Sequence, residues 1–292
     1  MTNRINKVIE LLEQNQPVYY TVAPDVSYEG GKGLAQTFAD YIQVSMEHNI
    51  YDMTALGAFM QGLVDGGPTA SGHRTPAVCI DLPLEGSSEA NIRANAWMCK
   101  QALSQGVHGI LLCHAECPDA VQAFVQACRF PFQTVGMKEG DEPGRRGAGG
   151  QMRAAEIWGV PPDDYLLKAD PWPLNPEGEI FLGLKIENKR ALTNAELTAK
   201  VPGIIFAEWG PGDMGMSLGY PNAHDPPYSP DMENARNTVK SACLNAGIHF
   251  LEGAHTDDVS SKIDDGVMFI NCYDREAGVK TGRAYTKRIM PV

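Results

Sequence analysis

The chain has 292 residues, 43% hydrophobic and 21% charged, with 30 Gly, 20 Pro and a formal net charge of −12. That length and apolar content bury a large core and exclude a disordered or fibrous protein. The 36 acidic against 24 basic residues, with no long basic run, exclude nucleic acid as an expected partner.

The N-terminus passes directly into charged residues, and no window approaches the roughly 18 apolar residues of a membrane span, so a cytoplasmic protein with no membrane partner is expected. Seven cysteines, at 79, 99, 113, 117, 128, 243 and 272, are an odd number set mostly in apolar runs. This fits reduced core thiols better than a disulfide framework.

In chain order, eight short apolar runs are separated by segments of helical periodicity: 17–23, 40–44, 76–82, 107–113, 180–186, 203–207, 248–251 and 266–272. Stretches 88–105 and 231–246 carry apolar residues at helical spacing. Nearly continuous apolar strands alternating with helices predict a parallel sheet, and eight units in one undivided chain favour a single (β/α)8 TIM barrel. The irregular stretch 133–176, with Gly-Arg-Arg-Gly-Ala-Gly-Gly at 144–150 and Trp158, Tyr165 and Trp172, reads as an extended cover or wall of the active site.

Barrel chemistry gathers where strands end, which singles out four places. Val44-Ser45-Met46-Glu47-His48 closes the second strand, and His48 reads as a general base or as a solvated loop histidine. Cys113-His114-Ala115-Glu116-Cys117 closes the fourth. Its Cys–His–Cys order suggests zinc but lacks a second paired half, which leaves His114 as a candidate wall residue. Lys185 and Glu187 close the fifth and share one side by period-two alternation, either facing the lumen or pairing at the rim. Gly210-Pro211-Gly212-Asp213 closes the sixth, as a turn whose backbone can approach a ligand. Glu187 and Asp213 together resemble the sparse carboxylate set that holds Mg²⁺ or Mn²⁺.

Four segments, in order, resemble the HpcH/HpaI and citrate-lyase-like metal-dependent pyruvate aldolases, whose barrels are of the phosphoenolpyruvate/pyruvate-binding type. Residues 40–48 resemble that family's strand ending in Asp-Gly-Glu-His. Arg146-Gly147-Ala148-Gly149 resembles its Arg-Gly-x-Gly loop, Leu184-Lys185-Ile186-Glu187 its Val-Gln-Ile-Glu, and Gly210-Pro211-Gly212-Asp213 with Leu218-Gly219-Tyr220 its Gly-Pro-x-Asp-Leu-Ser…Gly-Tyr. The likeness runs over about 17–275.

The resemblance implies that Glu187 and Asp213 bind a divalent cation, Mg²⁺ or Mn²⁺ with Co²⁺ as a third option, and that His48 acts as the catalytic base or orients it through water. It also implies that the backbone at Gly212 and Asp213 receives a substrate carboxylate. Beside it, Glu47 and His114 are candidate substrate contacts by position, and Arg146 with Arg145 reads equally as a substrate-carboxylate contact or a solvated loop. The reaction implied is class II carbon–carbon lysis of a hydroxylated 2-oxo acid to a 2-oxo acid and an aldehyde, in a homo-oligomer. The family's catalytic Arg closing the third strand is absent from Cys79-Ile80-Asp81-Leu82-Pro83, and Lys185 is expected to supply the missing positive charge. A decarboxylase, a hydratase, an aldehyde-releasing lyase and a non-catalytic metal- and carboxylate-binding barrel stay open as alternatives. The short polar tail after the eighth strand makes a helix exchanged between subunits doubtful.

Overall fold

A computed structural model describes residues 4–222 and 225–291, and in it the eight apolar runs become eight parallel strands closed into a barrel in strict sequence order. Helix α1 (Lys7–Glu13) precedes β1 (Val18–Val22), α2 (Tyr28–Leu34), β2 (Tyr41–Ser45), α3 (Met53–Asp65), β3 (Ala77–Glu85), α4 (Glu89–Ser104), β4 (Gly109–Cys113) and α5 (Pro118–Cys128). A helix pair, α6 (Gln151–Trp158) and α7 (Pro162–Lys168), leads to β5 (Phe181–Lys185), followed by the short α8 (Lys189–Thr193) and α9 (Ala195–Ala199). The chain closes with β6 (Ile204–Glu208), α10 (Pro211–Leu218), α11 (Pro230–Ala246), β7 (His249–Ala254), α12 (Val259–Asp264), β8 (Val267–Cys272) and α13 (Glu276–Tyr285).

Strand parity divides the core in two. On β5, Leu182 and Leu184 face the helices with the large outer cluster, while Phe181 faces the lumen with Tyr41, Phe206 and Phe269. Lumen rings fill the lower barrel: Tyr20 stacks on Tyr41 at 5.0 Å, and Phe206 on Phe269 at 4.2 Å. Gly183 leaves the room these rings need, since a Cβ there would lie 2.2 Å from Phe206. Aromatic filling of the lower lumen leaves the carboxyl ends of the strands as the place where polar side chains can meet.

The amino-terminal end of the barrel is locked by Asp40. Its carboxylate accepts both Arg288 Nη groups at 2.7 and 2.5 Å, Arg283 at 3.2 Å and the Tyr19 amide at 3.0 Å, with Lys7 Nζ at 3.3 Å. Burial opposes ionisation of Asp40, but these cations outweigh it and hold its carboxyl well below the usual range. The polar tail therefore folds back on its own barrel, α13 packing on α12 and β8.

Segment 133–176 corrects an expectation. It does not cover the mouth but packs at the amino-terminal end and flank of the barrel. Trp158 donates to Gly106 O at 2.8 Å and stacks on His108 just before β4, and Tyr165 donates to Leu103 O at 3.1 Å at the end of α4. Arg129 pairs with Asp170 at 2.7 Å, bracketing the segment. The physical reason is the course of the chain: α5 returns it to the amino-terminal side, and β5 starts there, so both ends of the insertion are anchored away from the mouth. Trp158, Tyr165 and Trp172 accordingly pack with core residues. All seven cysteines stand as free thiols, six of them buried.

Candidate active site at the carboxyl ends of the strands

The inward series on β5 climbs from Phe181 through Gly183 to Lys185, and Glu187 continues it one step beyond the strand. Both charged side chains are buried, Lys185 with 6% and Glu187 with 1% of its surface exposed, so the lumen-facing arrangement holds. Lys185 Nζ donates to Glu47 and lies 3.8 Å from Glu208 and 3.9 Å from Asp81. Burial alone would lower its ammonium pKa, but Glu208, Glu187 and Asp81 raise it, so Lys185 is a fixed cation and not a nucleophilic amine.

Asp81 stands where the resemblance leads one to expect an arginine. Its Oδ1 accepts the amides of Met46 at 2.8 Å and Glu47 at 3.1 Å, and its Oδ2 accepts Gln43 Nε2 at 3.2 Å. It thereby ties down the loop after β2 and aims Glu47 into the mouth. His48 is exposed beside it, its Nε2 3.2 Å from Glu47 Oε2. Glu47 thus touches Lys185 and His48 from one carboxylate.

Glu187 Oε1 accepts the backbone N–H of His114 at 3.1 Å. On its other side it packs against Gly210, at φ +47°, where a Cβ would lie 2.5 Å from Glu187 Oε2. This close approach brings the turn that opens α10 against the carboxylate, with Gly212 and Asp213 in its first turn. Amides there have no acceptor within the helix and are suited to an anion. Asp213 is half-buried and its side chain makes no hydrogen bond among the described residues, though its charge is felt at Glu208. Burial pushes the carboxyl of Glu187 well above its usual range; Lys185 opposes this, and Glu208 and Glu47 add to it. Burial likewise raises Glu208.

Glu47, His114 and Glu187 each offer a ligand atom within 4.8 Å of the others. Around them, four carboxylates, of Glu47, Asp81, Glu187 and Glu208, face the single ammonium of Lys185. A hard divalent cation suits these carboxylates, whose oxygens outnumber the positive charge among them. Zinc on the Cys–His–Cys order does not fit: Cys113 Sγ donates to Leu82 O at 3.3 Å, and burial pushes its thiol well up.

Arg146 needs a second correction. It is 1% exposed, its guanidinium lies 4.4 Å from the Phe130 ring centroid, and it donates to Tyr165 Oη at 2.6 Å in the segment packed at the amino-terminal end. It cannot reach the mouth, so it is no substrate contact there. Two site residues were missed from sequence, Glu208 and Asp81. Glu208 ends the sixth apolar run, a strand-end position that could have flagged it, and the β5–β6 register sets it opposite Lys185.

The model of the HpcH/HpaI aldolase/citrate lyase family matches residues 85–271. The chain belongs to that family. Among curated relatives, the hydroxypyruvate/pyruvate aldolase of Deinococcus radiodurans is 31% identical over 121 residues, 41% of this chain and 37% of that protein. The 2-keto-3-deoxy-L-rhamnonate aldolase of Salmonella paratyphi B is 28% identical over 166 residues, 56% of this chain and 52% of that protein. The chain thus spans about half or less of the length of these relatives. An HpcH/HpaI aldolase/citrate lyase family protein from Burkholderia cenocepacia superposes with a TM-score of 0.72 over 97% of this chain and 99% of that one, at 22% identity. The citrate lyase beta subunit of M. tuberculosis, complexed with oxaloacetate and magnesium, gives a TM-score of 0.52 over 92% and 96%, at 13% identity. These structural likenesses show the shared TIM-barrel fold.

Proposed function

We propose that this family member is a divalent-cation-dependent carbon–carbon lyase that cleaves or forms a hydroxylated 2-oxo acid, with a 2-oxo acid and an aldehyde as partners. The observation that carries this reading is the buried Glu187 carboxylate, set between the His114 amide and the Gly210 turn among carboxylates that outnumber the one ammonium. The names of the curated relatives, aldolases both, support it.

Glu187, with Asp213 from the turn beside it, would hold Mg²⁺ or Mn²⁺, with Co²⁺ as a third candidate. When bound, the cation supplies positive charge that polarises the keto group of the substrate. The amides of Gly212 and Asp213 take the substrate carboxylate. Lys185 places a permanent positive charge in the lumen, in the role expected of the absent arginine. His48, oriented by Glu47, takes the proton of the substrate hydroxyl as the carbon–carbon bond breaks. A cavity of about 620 Å³ between the ends of β6, β7 and β8, walled by Glu208, Trp209, Tyr228 and Tyr273, has room for the aldehyde portion. The free thiols support a reducing, cytoplasmic setting, and we carry the homo-oligomer over from the family resemblance.

Exchange of pyruvate methyl protons for deuterium, followed by NMR with Mg²⁺, Mn²⁺ or Co²⁺, tests the reading. Exchange that requires a cation and vanishes in Glu187→Gln is expected; a folded protein that exchanges nothing with any of them overturns it. One observation favours a second reading, a barrel that binds cation and carboxylate without turnover: Asp81, and no arginine, stands beside Lys185 on β3. Cation binding without exchange selects it.

A further inference from the structure

Asn188 follows Glu187 and caps α8, and its contacts settle which way its amide points. Its Oδ1 accepts the backbone N–H groups of Arg190 at 3.0 Å and Ala191 at 2.9 Å, and only the oxygen can do so. The Nδ2 group then faces two acceptors. One is Glu116 Oε1 at 3.1 Å, a carboxylate that Arg190 Nε holds at 2.8 Å; the other is His114 Nδ1 at 3.1 Å.

A ring nitrogen that receives an N–H presents its lone pair, so the proton of the neutral His114 ring sits on Nε2. The His114 backbone is left-handed, φ +46°, a conformation held by its N–H bond to Glu187, and it turns the ring toward the mouth. Nε2 lies 3.8 Å from Glu47 Oε1, beyond hydrogen-bond length, and has no other partner among the described residues. Glu187 Oε1, 3.5 Å from Nδ1, is also too far for a bond to the ring.

We propose that Asn188 is a positioning residue that fixes His114 in its Nε2–H tautomer, so that His114 presents a hydrogen to a substrate oxygen and is not itself a ligand of the cation. A metal ligand needs a free ring lone pair, and here Nδ1 spends its own on the Asn188 amide while Nε2 carries the proton. The identity of that substrate oxygen rests on the lyase reading; the tautomer does not.

The test uses ¹⁵N-histidine-labelled protein at about pH 8, above the ordinary histidine range, with His114 assigned through His114→Gln. Wild-type protein should show a protonated Nε2 and a bare Nδ1. Asn188→Asp keeps an acceptor for the α8 amides but replaces the NH₂ by an oxygen, and should move the proton to Nδ1. A wild-type His114 protonated at Nδ1, or a pattern unchanged in Asn188→Asp, overturns the proposal. If the variant does not fold, the wild-type spectrum decides alone.

Two further arms complete it. His114→Gln should leave the Mn²⁺ Kd within about threefold, whereas loss of a true ligand site costs at least the roughly tenfold to hundredfold of an outer-shell partner, and a loss of that size overturns the donor role. Asn188→Asp and His114→Gln should lower kcat of the pyruvate exchange by about tenfold to hundredfold with KM little changed, and equal kcat to wild type in both overturns it. Should wild-type protein show no exchange, the lyase reading fails, while the tautomer and Mn²⁺ arms still judge this proposal.

Discussion

Lys185 on β5 is ion-paired with Glu47 beyond β2, two residues 138 positions apart that meet across the mouth of the barrel. The pair neutralises one carboxylate of the four and leaves Glu187 and Glu208 facing charge that burial makes costly to hold uncompensated.

Replacing Lys185 with Met removes the only ammonium in the cluster. Pyruvate exchange should fall at least about a hundredfold, on the scale of losing one preorganised charge or donor. Calorimetric Mn²⁺ titration should still show binding, because the carboxylates remain. A variant that binds Mn²⁺ and turns over at the wild-type rate would sink the idea that Lys185 replaces an arginine.

Glu187→Gln should abolish Mn²⁺ binding, read by electron paramagnetic resonance, with the circular dichroism of the barrel retained. In the wild type, the Glu187 carboxyl is held above the ordinary range, and a cation binds its deprotonated form. Mn²⁺ affinity should therefore rise with pH as this proton is lost and fall on acidification; a flat profile across the raised range would contradict the assignment.

Asp40→Asn leaves Arg288, Arg283 and Lys7 beside a neutral amide at the amino-terminal end of the barrel. Chemical denaturation should register a loss of about 3–5 kcal/mol, the usual cost of breaking a buried charge cluster. The folded carboxyl lies below its unfolded value of about 4, so its contribution is complete above that pH and disappears as pH falls toward the folded value. The gap between wild type and variant should narrow in acid; a gap that widens there would refute the sign.

Arg146→Met tests the corrected location of segment 133–176. The guanidinium packs on Phe130 and bonds Tyr165, so the variant should lower Tm by several degrees, as a change of about 1–2 kcal/mol does in a domain of this size. Its KM for pyruvate should stay at the wild-type value. A raised KM with unchanged Tm would return Arg146 to the substrate.

Much of this protein was legible in the sequence because strand parity is a local property. Eight apolar runs alternating with helical segments were enough for the barrel, and two-residue alternation was enough to place Lys185 and Glu187 on one side, as found. The Gly-Pro-Gly-Asp turn was likewise placed beside the site by its position at a strand end.

Which side chains meet across the lumen is not local. Glu47, Asp81 and Glu208 join Lys185 only because β2, β3, β5 and β6 close at a particular register, which no local pattern states. Segment 133–176 went astray for the same reason: its glycines and prolines announce an irregular path, but Trp158 on His108 and Arg129 on Asp170 decide which end of the barrel it covers. Composition and period specify the barrel. The charge balance at its mouth exists only once distant residues are packed, because burial and the neighbouring charges set the protonation of Glu187.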